Sequence, residues 1–224
     1  MLIEQDRNRW KRFAVAGILF IVIAAMIFDN SMILQILDST FQSLFANPDQ
    51  KSGLTRSLMT LISFIGSPKM DILWTLIIAF FLWGFKLKIP ALWTICTVIG
   101  GDVLGTIAKH VVKRSRPVQH MAKDDGYSFP SGHVLGFFLV VAVLLLVVMP
   151  LIRRRAIRDI CQVILVLLVV LLAISRVYLF AHYPMDTIGA MLLAYAWVQV
   201  AEWLYVAIAP RLKRSWRPVH NSLI

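Results

Sequence analysis

Residues 129–149 read FPSGHVLGFFLVVAVLLLVVM, a short turn followed at once by a long apolar run. The run, extended to Leu151, approaches the about 20 residues that a helix needs to cross the ~30 Å hydrocarbon core of a bilayer. The turn in front of it, Phe129-Pro130-Ser131-Gly132-His133, falls where that helix starts. The first N–H groups of a helix have no internal partner and its dipole is positive there, so the turn is suited to holding an anion. Gly132 lets the backbone approach a ligand, Ser131 adds a hydroxyl, and His133 adds a group that exchanges protons near neutral pH.

The rest of the chain repeats the apolar theme. Of 224 residues, 59% are hydrophobic, and the mean hydropathy is +0.75. Soluble domains run at about 45–50% apolar, so the composition excludes a water-soluble globule and indicates an all-α integral membrane protein in one domain, 1–224. Six spans are expected: Phe13–Phe28, Ile72–Phe85, Pro90–Val112, Val134–Leu151, Ile160–Leu179 and Ile188–Ile208. The first follows basic residues, but no small-x-small cleavage site precedes Asp29, so it reads as a retained span rather than a signal peptide. Between the first two spans, Ser31–Phe64 is less apolar and is interrupted by Asp38, Asn47, Pro48, Asp49 and Lys51. Ile33, Leu34, Leu37, Phe41, Leu44 and Phe45 recur at helical spacing, which predicts an amphipathic helix at the interface or over the bundle. A second short helix is expected at Leu58–Ile65, ending at Gly66-Ser67-Pro68. Cys96 and Cys161 have no metal-type spacing and read as free thiols.

A net charge of +11 would suggest nucleic acid in a soluble protein. Here the positive charge flanks apolar runs, so topology explains it first. Most of the 23 Lys and Arg fall in the N-terminal stretch, the Lys86/Lys88 turn, the Arg153–Arg158 loop and the segment after Ile208. The positive-inside rule then places both termini in the cytoplasm and the 31–67 segment outside. Lys113, Arg114 and Lys123 read as flanking charges on the outer side. Asp102, at membrane depth in the third span, should face the bundle interior or water.

Three clusters lie at the outer ends of spans in this threading: Lys109 with Arg116-Pro117, Pro130-Ser131-Gly132-His133, and Ser175-Arg176 with His182 and Asp186. Threading brings two kinds of cation, a helix N-terminus, two histidines and a carboxylate to one membrane face. Phosphoryl transfer needs such a set. Arg and Lys match the charge of phosphate oxygens, and fixed donors stabilise the charge that builds in the transition state. One histidine can attack phosphorus, a carboxylate can hold its other ring nitrogen, and a second histidine can protonate the leaving oxygen.

Lys109-x6-Arg116-Pro117, Pro130-Ser131-Gly132-His133 and Ser175-Arg176-x5-His182-x3-Asp186 resemble, in order and spacing, the three signature motifs of the type 2 phosphatidic acid phosphatase family. The motif region, 109–186, covers about a third of the chain. The resemblance implies a lipid phosphatase of the bacterial cytoplasmic membrane, its site facing outward. It would act on undecaprenyl diphosphate, phosphatidylglycerol phosphate or phosphatidic acid, with no cofactor, no metal and no nucleic-acid partner. It implies that His182 is the nucleophile, Asp186 its orienting group and His133 the general acid, with Lys109, Arg116, Ser131, Gly132 and Arg176 on the phosphate. Ser175 and Pro117 would shape the site, and His110, His120 and His220 are expected to be non-catalytic. Two other readings keep the same face: a phosphotransferase that passes the phosphoryl group to a second hydroxyl, and a transporter that captures a phosphorylated lipid without turnover.

Overall fold

The computed structural model describes residues 3–45, 53–118 and 126–223, and these form eight α-helices and no strand. The helices are α1 (Arg9–Phe28), α2 (Met32–Ser43), α3 (Gly53–Ile65), α4 (Pro68–Gly84), α5 (Lys88–Val112), α6 (Gly132–Val143), α7 (Arg155–Tyr178) and α8 (Pro184–Ser215). A π-helical turn, Leu144–Val148, and a 3₁₀ turn, Met149–Leu151, carry α6 onward. Asn47, Pro48, Asp49, Lys51, His120 and Lys123, singled out in the sequence, lie outside the described residues.

Proline and its neighbours set several starts. Pro68 follows Ser67 and Pro184 follows Tyr183, each Pro in a first turn where its missing N–H costs nothing. Five helices are each long and apolar enough to cross a membrane. The second expected span, Ile72–Phe85, is built differently. α3 and α4 meet that test only together, bent by 52° at the Gly66-Ser67 break. The Trp74 indole N–H donates to the Ile65 carbonyl (3.1 Å), which satisfies one of the acceptors freed at the end of α3.

α6 is apolar on every side, and it runs through the middle of the bundle against α4, α5, α7 and α8. This is the position such a helix must take to bury its whole circumference. Small residues let α5 approach it: a Cβ at Gly105 would stand 2.9 Å from a Leu135 methyl carbon. The outer helices keep their apolar side chains on the surface. Val15, Ile18 and Ile21 of α1 and Val163, Val166 and Leu167 of α7 are exposed, as suits contact with lipid tails.

α2 is the amphipathic helix expected between the first two spans, and it runs unbroken through Asp38. Leu34 and Asp38, one turn apart, are buried inward, while Ile33, Ile36, Phe41 and Leu44 face away from the protein. The apolar stripe is therefore the outer face of α2, and the acid is on its inner face.

The two ends of the bundle differ. At one, the chain after α8 docks on the α4–α5 turn: the Leu223 N–H donates to the Lys86 carbonyl (2.9 Å), and the Ile89 N–H donates to Ser222 Oγ (3.0 Å). The buried Arg9–Glu202 pair lies toward the same end. At the other end, the turn before α6 meets the start of α8, where the Ser131 N–H donates to the Asp186 carbonyl (3.1 Å). The Phe129 ring locks this junction. It is fully buried, stacks on Phe20 with centroids 5.5 Å apart, and fills the space beside Gly189 that any larger side chain would occupy.

Phe129→Ala should therefore leave a cavity at this junction and cost about 3–5 kcal/mol. Thermal unfolding in detergent micelles reads the loss as a lower melting temperature. An unchanged melting temperature would show that the turn before α6 is held by something else.

Candidate active site

Two connections, between α5 and α6 and between α7 and α8, bring the three sequence clusters together at this end. The end of α5 supplies Lys109, the following loop supplies Arg114 and Arg116, the start of α6 supplies Ser131, Gly132 and His133, and the α7–α8 turn supplies His182. A cavity of about 420 Å³ lies among them, lined by Lys109, Arg116, Pro130, Gly132, His133 and His182, with Pro68 of α4 at its edge. A Cβ on Gly132 would stand 3.9 Å from Lys109 Cε, so the lysine lies over the first turn of α6. Ser131 Oγ is buried and has no hydrogen-bond partner among the described residues. Such a hydroxyl is costly to bury unless a ligand comes to it.

His182 sits just before α8, as the sequence spacing led one to expect, and is almost fully buried. Its Nδ1 lies 3.5 Å from Asp186 Oδ2, within pairing range but longer than a well-formed hydrogen bond. Its Nε2 lies 3.3 Å from Arg116 Nη1. With Nδ1 protonated toward the carboxylate, Nε2 keeps its lone pair on the cavity side. Burial lowers the His182 pKa to about 4. The contact with Asp186 opposes this, while the charges of Arg176 and Arg116 reinforce it. The ring is thus neutral at pH 7, the state that a nucleophile requires.

Asp186 has no solvent exposure and is ringed by donors. It accepts from Ser128 Oγ, from Arg114 Nη1 (2.7 Å) and from the Tyr183 N–H (2.9 Å). Arg116 is fixed by the Gly126 and Ala181 carbonyls (3.0 and 2.8 Å), and Lys109 donates to the Tyr127 carbonyl (2.9 Å). Arg176 and Ser131 do not line the cavity. Arg176 is buried behind His182 and donates to Ser63 Oγ of α3 (2.5 Å), while its own carbonyl accepts from the Ala181 and His182 N–H groups.

Three residues of this network were not among the expected site residues. Arg114 is no flanking charge: it bridges Asp186 and, through Nη2 at 2.5 Å, Asp38 of α2, with its guanidinium 4.0 Å from the Tyr183 ring. Ser128 immediately precedes the Phe129–His133 turn. Asp38 carried the one available signal, an acid at helical spacing from a core leucine. Burial raises its pKa, against the pull of Arg114. Burial also opposes the Arg114 charge, but Asp186 and Asp38 outweigh it and raise the Arg114 pKa. Lys113 stands beside Arg114 on a second cavity and does not reach His182. Asp102 faces the His182 cavity, as expected of a membrane-depth acid. It shares the space around Gly136 with Asp71 of α4. His110 turns to its own helix and to Tyr127.

The profile of the PAP2 superfamily matches residues 90–208, just over half of the chain. Among solved structures, the crystal structure of a transmembrane PAP2 type phosphatidylglycerolphosphate phosphatase from Bacillus subtilis superposes with a TM-score of 0.73 at 20% identity, covering 91% of this chain and 98% of that one. At that identity the likeness speaks for the fold. Comparison with curated proteins gave no significant match.

The lowered His182 pKa has a sign that can be checked. Protonation removes the lone pair, so a rate that needs neutral His182 should hold as pH falls from 7 and fail only near about 4. A kcat/KM profile with its acid limb at the ordinary histidine value of about 6.5 would show a hydrated ring instead.

Proposed function

The chain belongs to the PAP2 superfamily, and on that premise we propose that it is a membrane lipid phosphatase that cleaves a phosphate monoester or diphosphate from a lipid headgroup through a phosphohistidine. The observation that carries this reading is the placement of His182, backed by Asp186 at Nδ1 and sharing a cavity at Nε2 with Lys109, Arg116, Gly132 and His133.

In the first step Nε2 of His182 attacks phosphorus. The bond from phosphorus to the lipid-side oxygen breaks, and His133 gives that oxygen a proton. The Nδ1 proton stays on the ring, and Asp186 stabilises the positive charge as it forms. In the second step water attacks the phosphohistidine, His133 takes back a proton, and phosphate leaves with His182 restored. Lys109 and Arg116 offset the charge on the equatorial oxygens, the first N–H groups of α6 are further donors, and Arg176 adds positive charge from behind His182. These side chains supply cationic charge without help, which supports a metal-independent reaction. A site at the bundle end opposite the Arg- and Lys-rich turns supports an extracytoplasmic location in the inner membrane, where lipid headgroups lie. We rank phosphatidylglycerol phosphate, the lipid named for the neighbour of like fold, first among the candidate substrates, ahead of phosphatidic acid and undecaprenyl diphosphate.

Purified protein in detergent should release free phosphate from at least one of these lipids and keep its rate in EDTA. His182→Ala should lose activity at least about a thousandfold without losing its fold. Arg116→Gln should lose about a hundredfold. Full activity in the His182 variant, or transfer of all the phosphate to a second lipid, would sink the hydrolase reading.

A further inference from the structure

We propose that Asp38 and Arg114 are positioning residues for the His182–Asp186 pair, so that α2, through a single carboxylate, sets the charge and orientation of the nucleophile. The proposal rests on the reading of His182 as nucleophile given above.

The geometry is a closed ring of contacts. Arg114 presents one face of its planar fork to each of two acids, Nη1 to Asp186 (2.7 Å) and Nη2 to Asp38 (2.5 Å). Asp38 returns to the start of α8, where its Oδ1 accepts from the Met185 N–H (3.0 Å). Tyr183, next to His182, packs its ring on the same guanidinium. Only a planar, permanently charged group can bridge two carboxylates and stack on a ring at once. Asp38 and Asp186 are buried, and the Arg114 side chain is 11% exposed. Charges this deep interact strongly, and removing one leaves its partners uncompensated.

Neither Asp38 nor Arg114 lines the cavity that holds His182. Both line a second, polar cavity of about 590 Å³ on the far side of the pair, together with Gln35, Gln42 and Tyr183. Arg114 touches the His182–Asp186 pair itself at Asp186, and Asp38 acts on the pair through Arg114. The remaining charged and titratable groups around His182 are Arg176 of α7, Arg116 of the loop before α6, and the cavity residues Lys109 and Asp102 of α5 and His133 of α6.

A clamp that only held α2 in place would act on His182 without regard to charge. An electrostatic relay has a sign. Asp38→Asn removes a negative charge behind Arg114, so the guanidinium disfavours the protonated ring more strongly and the His182 midpoint moves to lower pH. Arg114→Gln removes the positive charge, so Asp186 favours the protonated ring and the midpoint moves to higher pH.

The test is ¹⁵N NMR titration of histidine-labelled full-length protein in detergent micelles, with the His182 resonance assigned by its absence in His182→Ala. Opposite shifts in the two variants are expected. In parallel, kcat on the best lipid phosphate should fall about tenfold in Asp38→Asn with KM unchanged, because substrate does not touch Asp38. Should Arg114→Gln fail to fold, Asp38→Asn alone decides: a midpoint that does not move down overturns the proposal, as do shifts of the same sign in both variants. The titration reads the ring itself. If the wild type hydrolyses lipid phosphates but the shifts are absent, the positioning role is overturned and the proposed function stands. If the shifts appear in a protein that hydrolyses none of the panel, the function is overturned and the relay stands.

Discussion

A carboxylate with no access to water is the constraint from which the active end of this protein follows. Asp186 begins α8 wholly buried, and a buried charge is tolerated only when it is paired and hydrogen-bonded. Its donors come from different stretches of chain: Arg114 and Ser128 from the loop between α5 and α6, Tyr183 from the α7–α8 turn. Satisfying one acid therefore gathers that loop and that turn over the ends of three helices. The same gathering places Arg116 beside His182 and Lys109 over the start of α6. The cations that face the cavity are positioned as a consequence of the pairing behind it.

Deeper in the bundle the constraint changes from charge to shape. α6 has no polar side to show, so it takes the centre, and glycines on α5 and α8 bring their backbones close to the α6 helix and to the turn before it. The peripheral helices need no such closeness on their outer faces, where lipid supplies the contacts. A rigid middle with a polar cluster at one end is a reasonable scaffold for chemistry that depends on fixed donors.

Much of this was legible in the sequence, for reasons that can be named. The spans follow from length and hydropathy. The break at Gly66-Ser67-Pro68 follows from residues that stop helices, and the spacing of His182, Pro184 and Asp186 follows from the rules for helix starts. The expected site residues gather at one end because helices that alternate direction bring every second end together. What could not be read was the partner of each charge across long separations in the chain. Asp38 looked like an interruption because a helical wheel shows which residues share a face but not which face turns inward. Arg114 looked like one of several interfacial cations because its two carboxylate partners lie more than 70 residues away. That α3 and α4 reach span length only as a bent pair was likewise hidden, since each was visible as a helix but their relative angle was not.

The docking of residues 219–223 on the α4–α5 turn has a consequence for how the protein is made. Ile89, at the start of α5, donates its N–H to Ser222, which is synthesised 133 residues later. Lys86, in the turn before it, waits for Leu223 in the same way. A chain emerging from the ribosome in order can insert α4 and α5 long before these groups have partners. Until α8 and the segment after it have followed, water or lipid headgroups must serve in their place. Closure of that end of the bundle is thus a late, post-insertion event, while the Trp74–Ile65 contact between α3 and α4 can form as soon as its own short stretch of chain has been translated.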